Sequence, residues 1–375
     1  MCLLHDIGHM RTLPWPRSLL FLGWILGALP PVALTLALMP IVPAIQEWDV
    51  VPFAHPLARA QWWMVGAGFV VFTLAAITLW QRPGWRWKVT PIILTLVGIG
   101  LHTAVATMFS AEAMFNEPFT VRREAVDVAA VSSDTTVYLW VNVNGSVAGY
   151  PLDLVAHHHK IKDTVGGTDV LITYCTMCHT GRVFSPIVNG ASEQFRLVGA
   201  NHFNAMFEDV RTKSWWYQAT GECVAGPLKG AVLADIPFVQ GTAAEMRALW
   251  SPHHVSLFRA DAATGDAYAW ADGYARKAGD TSRTLSRRSL VIGVRVGSAV
   301  RAYPVRRLID APDSVIRDVI DGTTIVMRRP HTMTETIVVR RDSLTSATVI
   351  PSVVDYWHAW EHFYPTTTVW EGTRP

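Results

Sequence analysis

The sequence predicts a three-helix transmembrane N-terminal region followed by a β-rich (α+β) extracytoplasmic domain with an internal duplication. Three observations lead there: long apolar stretches confined to the first 110 residues, short alternating runs bounded by glycine-bearing turns after them, and a residue pattern that occurs twice. The boundaries expected are 1–110 for the transmembrane region, 111–260 for a first repeat and 261–375 for a second, degenerate one.

Half of the 375 residues are hydrophobic, 17% are charged, 16 are tryptophan and mean hydropathy is positive. That is too apolar for an ordinary soluble domain, so part of the chain belongs in lipid. Three segments reach the length of about 20 apolar residues that a bilayer crossing needs, at about 18–41, 62–80 and 91–109. Trp62, Trp63, Trp80, Trp85 and Trp87 stand at the ends of the second and third, where amphipathic rings favour the interface. Pro30 and Pro31 interrupt the first, which reads either as a kinked span or as a long signal sequence with Val42-Pro43-Ala44 as its cleavage region.

Arg11 and Arg17 precede the first span, and Arg82, Arg86 and Lys88 lie between the second and third. The 46–61 loop carries Glu47, Asp49 and only Arg59. The positive-inside rule then puts the N-terminus in the cytoplasm and everything after about Ser110 outside the cytoplasmic (inner) membrane, in the periplasm of a bacterial-type cell. Cys2 stays inside. The exported part meets an oxidising compartment with three cysteines, Cys175, Cys178 and Cys223, too few for a four-cysteine zinc ribbon. The expected partners are the lipid bilayer and a membrane or exported redox protein. A formal charge of +2 without a clustered basic face argues against nucleic acid. The pairs Arg287-Arg288, Arg306-Arg307, Arg328-Arg329 and Arg340-Arg341 read as solvated strand faces.

Within the exported region, the stretch from Val141 through Asn144-Gly145 to Tyr150-Pro151 returns from Val294 to Tyr303-Pro304, and Ile161 to Thr168 returns as Ile316 to Thr323. Each copy reads as strand, turn, strand, short helix or loop, turn, strand. Val141 and Val143, like Val294 and Val296, alternate as on a half-buried sheet; Val170-Leu171-Ile172 and Ile325-Val326-Met327 suit buried strands. Trp357, Trp360, His362 and Tyr364 predict an aromatic closing helix on that sheet, echoing Trp250, Pro252 and His253.

Chemistry concentrates in Tyr174-Cys175-Thr176-Met177-Cys178-His179. Two thiolates two residues apart can hold copper or zinc with His158 as a third ligand and His202 or His179 as a fourth. The same pair can exchange disulfides, one thiol attacking and the other resolving, with His179 lowering a thiol pKa by its charge. Read literally, Cys-x-x-Cys-His is also the attachment sequence of a c-type haem, with His179 as axial ligand and Met206 as a distal one. An apolar strand running into the pair and a turn after it differ from the helical context usual for the redox and haem motifs. The second copy carries Pro330, Met333 and Thr334 in place of Cys175, Cys178 and His179, so the scaffold does not require them. A further reading makes the protein a non-catalytic sensor or assembly subunit with a structural disulfide.

Gly149-Tyr150-Pro151, Asp163 to Thr168, Tyr174 to Cys178 and Asp209 to Glu222 together resemble the domain-of-unknown-function 3179 family. The resemblance runs from Val141 to about Leu233 and, more weakly, through the second copy. It implies a shared fold and a site at the cysteines, and names no reaction. By that resemblance His158 matches a family histidine, His159 replaces a glutamate, Thr176 replaces a proline and His179 a small residue. The Asp209 to Glu222 stretch holds Thr212, Ser214, Trp215, Trp216 and Gln218, a polar and aromatic mix suited to orienting a ligand. Trp215 and Trp216 are therefore candidate cofactor contacts beside His179, and Glu222 is a candidate proton carrier beside the catalytic candidates Cys175 and Cys178.

Overall fold

The apolar N-terminal stretches form three helices long and apolar enough to cross a membrane, α1 (Trp15–Leu38), α2 (Val51–Trp80) and α3 (Arg86–Ala104), the last continued by a π-helical turn, Val105–Phe109. The computed structural model describes residues 15–115, 117–118, 120–131, 135–260, 285–333, 337–346 and 348–372; Cys2, Arg11 and Thr334 lie outside them.

Helix α1 runs through Pro30 and Pro31 without a break. The carbonyl of Gly27, which Pro31 cannot satisfy, accepts a hydrogen bond from His102 Nε2 on α3 at 2.9 Å. Where α1 crosses α2, Gly23 and Gly27 face Gly68 so closely that a Cβ on Gly68 would meet the backbone of α1, the small-residue contact that lets membrane helices associate without a hydrophobic driving force. Helix α2 begins eleven residues before the expected span. Pro52 occupies its first turn, where a missing N–H costs little, and Pro56 lies inside the helix, where it leaves the Pro52 carbonyl without its helical donor. Val51, Ala54, Leu57 and Ala58 pack with Met206 and Trp215, so this stretch is helix against the β-rich part rather than a free loop. Farther along, Trp62, Phe69, Leu74, Ile92 and Leu96 are exposed, an outer surface suited to lipid.

The bundle has distinct ends. At one, Arg17 lies over Trp87 (4.1 Å) and Lys88 near Trp80 (5.9 Å). At the other, Leu38, Met39 and Val50 join clusters shared with the β-rich part.

Among the described residues that part is a propeller-like arrangement of six small sheets. The first has strand order Arg123–Asp127, His254–Phe258, Ser146–Pro151, Tyr138–Val143, Phe238–Gly241. The second, three-stranded, is Lys160–Val165, Thr168–Cys175, Thr180–Phe184. Cys223–Ala225, Trp215–Tyr217, Asn204–Asp209 and Phe195–Asn201 form a third. Toward the C-terminus, Ser352–Tyr356, Leu290–Val296, Ala299–Pro304 and Thr368–Val369 make a four-stranded sheet, followed in chain order by Val315–Ile320 paired with Thr323–Arg328. The closing helix is present as Trp357–Phe363; its buried Trp360 lies on Gly293, where any Cβ would strike the indole. Strand Ser352–Tyr356 also reaches the cysteine hairpin, Tyr356 N–H donating to Cys178 O at 2.8 Å.

Candidate functional site

Cys175 ends one strand and pairs across the hairpin with Thr180, leaving Thr176 to His179 as the connection. A hairpin that short needs a left-handed residue, and His179 supplies it at φ 62°. The cysteine pair thus sits in a β-turn rather than at a helix N-terminus, as its flanking residues predict.

Both thiols are fully buried and free, in a cluster with Met39, Leu197, Ala205, Phe207 and Trp216. The two sulfurs are hydrogen-bonded to each other, and the pair is electrostatically asymmetric. Burial alone would raise Cys175, but hydrogen bonds from the Cys178 thiol and from backbone groups of Cys178, Ala205 and Met177 more than offset it, so its pKa lies below the ordinary value. Burial, donation to Cys175 and the nearby Asp355 charge push Cys178 well above its own. Asn204 Nδ2 donates to Cys178 Sγ (3.1 Å) and to Gln218 Oε1 (3.0 Å), and Gln218 Nε2 donates to Thr173 Oγ1 and to Thr180 O. Asn204, Gln218 and Thr173 are all fully buried, so this network fixes the sulfur positions.

Asp355 is the carboxyl that sequence reasoning missed. It is 2% exposed, Oδ1 has no hydrogen-bond partner, and burial first, then the Cys175 charge, raise its pKa well above the carboxylate range despite a hydrogen bond from Thr180. Its only sequence signal is a lone acid within Val353-Val354-Asp355-Tyr356.

The remaining candidates fall elsewhere. His179 is buried, hydrogen-bonded through Nδ1 to Tyr174 Oη at 2.9 Å and stacked on Tyr356 at 5.3 Å. Burial, with the Arg288 charge, lowers its pKa to about 4, so at neutral pH it carries no charge with which to activate a thiol. His158 is fully buried beside His157 and edge-on to Phe258 (6.3 Å). With Phe203, His202 forms a two-residue hairpin turn whose two residues both have positive φ, as a type I′ turn requires, and its ring stacks on His362 at 3.8 Å. Among the described residues no three His, Cys, Asp or Glu side chains converge as metal ligands, so Cys175, Cys178, His158 and His202 are not assembled into one set. Glu222 is exposed, because the strand alternates and turns Cys223 inward instead. Trp215 and Trp216 are 1% exposed, their indole N–H groups donating to Glu208 (2.9 Å) and Asp209 (3.0 Å), which makes them core rather than ligand contacts. Cys223 is buried and raised to about 11, chiefly by desolvation.

Residues 120–256 match a family model described as "Protein of unknown function (DUF3179)". No curated protein and no solved structure matches the chain.

Proposed function

Starting from residues 120–256 as a DUF3179 domain, a family whose description states no activity, we propose that the protein is a membrane-anchored extracytoplasmic redox protein performing thiol–disulfide exchange at Cys175 and Cys178. Two free, buried thiols held two residues apart in one β-turn carry this reading, with Asn204, Gln218 and Thr173 fixing the turn around them. Cys175 attacks a partner disulfide, forming a mixed disulfide and releasing one partner thiolate. Cys178 then loses its proton and attacks Cys175 Sγ, closing the intramolecular disulfide and releasing the second partner sulfur. The proton leaving Cys178 passes to the departing partner sulfur, so the exchange balances within the two dithiols.

Placement outside the inner membrane rests on the basic end of the bundle, Arg17 and Lys88, lying opposite the end that joins the β-rich part. Duplication is supported by a shared hydrogen bond: Tyr150 Oη donates to Asp163 Oδ2 and Tyr303 Oη to Asp318 Oδ2, each at 2.7 Å, at matching places in the two repeats. Asn144 and Gly297, and likewise Gly166 and Asp321, share the left-handed backbone at the equivalent turns.

Iodoacetamide added briefly to the reduced, folded protein near neutral pH, followed by peptide mass spectrometry, should place a single alkyl group on Cys175 and leave Cys178 and Cys223 unmodified. Prior modification of Cys178, or of neither until denaturant is added, would count against the assignment. Near-stoichiometric copper or zinc in protein purified without chelator, absent from Cys175→Ser, would make the pair a metal site instead.

A further inference from the structure

The turn between the two cysteines is also the floor of a cavity. About 460 Å³ in volume, it lies where the membrane helices meet the β-rich part and is lined by Ile41, Phe109, Met114, Leu197, Met177 and His159, among others. Nearly all of this lining is apolar. His159 and Thr176 are the polar exceptions; His159 is 4% exposed, tilted against Phe115 at 3.8 Å, with Nδ1 lacking a hydrogen-bond partner. A buried imidazole nitrogen in that state gains from a ligand that supplies the missing bond.

Resting on the dithiol reading above, we propose that this cavity binds a lipid-soluble quinone and that the Cys175–Cys178 dithiol delivers its electrons there. The observations converge on that chemistry. The walls come from the domain-proximal ends of α1 and of the helix following α3, so a membrane-dissolved molecule can enter sideways. The volume falls within the range of small-molecule sites and suits an aromatic head with the start of an isoprenoid tail. Two polar side chains, His159 and Thr176, in an otherwise apolar wall match ring carbonyls that must be oriented. A dithiol becoming a disulfide releases two electrons and two protons, the quantity that converts a quinone to a quinol. In the step, two S–H bonds break, one S–S bond forms, and the electrons and protons pass to the quinone oxygens. On its other side the Thr176-Met177 turn borders an opening of about 470 Å³ with Phe203, Arg287 and His358, where an exported dithiol restores the reduced pair by the exchange above run in reverse: its thiolate attacks the Cys175–Cys178 disulfide, and its second thiol closes the partner disulfide.

The test uses full-length protein in neutral-lipid nanodiscs with decylubiquinone as probe. Wild type, reduced and kept anaerobic, should form one quinol per chain. The Cys175→Ser/Cys178→Ser variant should form none while binding the probe with unchanged affinity. Ile41→Trp, which fills the mouth from an exposed position, and His159→Asn, which keeps a residue tolerant of the φ of 59°, should each bind about tenfold more weakly. Probe binding that neither variant alters, or equal occupancy by a saturated fatty acid, would overturn the assignment. So would a dithiol that glutathione buffers oxidise reversibly but decylubiquinone does not. Saturable probe binding with a dithiol inert to both oxidants would overturn the electron-transfer step together with the redox reading on which it rests.

Discussion

Cys178→Ser protein exposed to oxidised glutathione is expected to accumulate a stable glutathione adduct on Cys175, whereas wild type passes through that adduct to an intramolecular disulfide. Thiol exchange proceeds through a mixed disulfide, and only the second sulfur, already hydrogen-bonded to Cys175, can resolve it internally. Release of the second glutathione should slow roughly a thousandfold or more, as when one member of a pair that acts as a unit is removed. Cys175→Ser should form no adduct, because burial alone still holds Cys178 as a thiol. Intact mass spectrometry reads both variants. Equal adduct formation on either cysteine would remove the assigned order of attack.

The second large effect is on stability. Arg182 is 1% exposed and donates to Ala219 O (2.6 Å), Tyr364 Oη (3.2 Å) and Asp235 Oδ1 (2.5 Å), while Asp235 also meets Arg295. The guanidinium therefore ties the cysteine hairpin to the segment around Asp235 and to the C-terminal helix. Asp235→Ala leaves that buried charge without its anion. The expected loss is about 3 kcal/mol, at the low end for an unpaired buried charge because Asp235 is itself 42% exposed on its side chain. Thermal unfolding followed by tryptophan fluorescence should move down by roughly 10 °C. A change within about 0.5 kcal/mol, typical of surface pairs, would mean that water or Tyr364 already compensates the charge.

The three apolar helices were legible because about twenty apolar residues in a row favour one long helix. The start of α2 was not, since Pro52, His55, Pro56 and Arg59 have loop composition, and only contact with Met206 and Trp215 makes those turns worth forming. The closing helix at Trp360 follows directly from local pattern, whereas the strands around Val141 and Val294 are buried at successive positions from Tyr138 to Val141 and from Leu290 to Val294, so both faces are packed and the half-buried alternation expected there is not seen. The thiol pair was legible by its spacing. Its surroundings were not, because Asn204 and Asp355 reach it from strands 26 and 177 positions beyond Cys178. The surroundings of His158, His202, Trp215, Trp216 and Glu222 were not legible from side-chain identity either. The first two rings find aromatic neighbours, the indoles find carboxylates, and the glutamate falls on the outward phase of its strand. At His179, sequence gives a titratable group, and burial takes the charge away.

Equilibration of the full-length protein against dithiothreitol buffers of graded oxidation, followed by acid quench, maleimide labelling and intact mass, addresses the redox pair most directly. The predicted result is one reversible two-electron transition in which Cys175 and Cys178 disappear together as thiols and return together, with Cys223 a thiol throughout. A pair that stays reduced at every setting, or a disulfide that recruits Cys223, would contradict it.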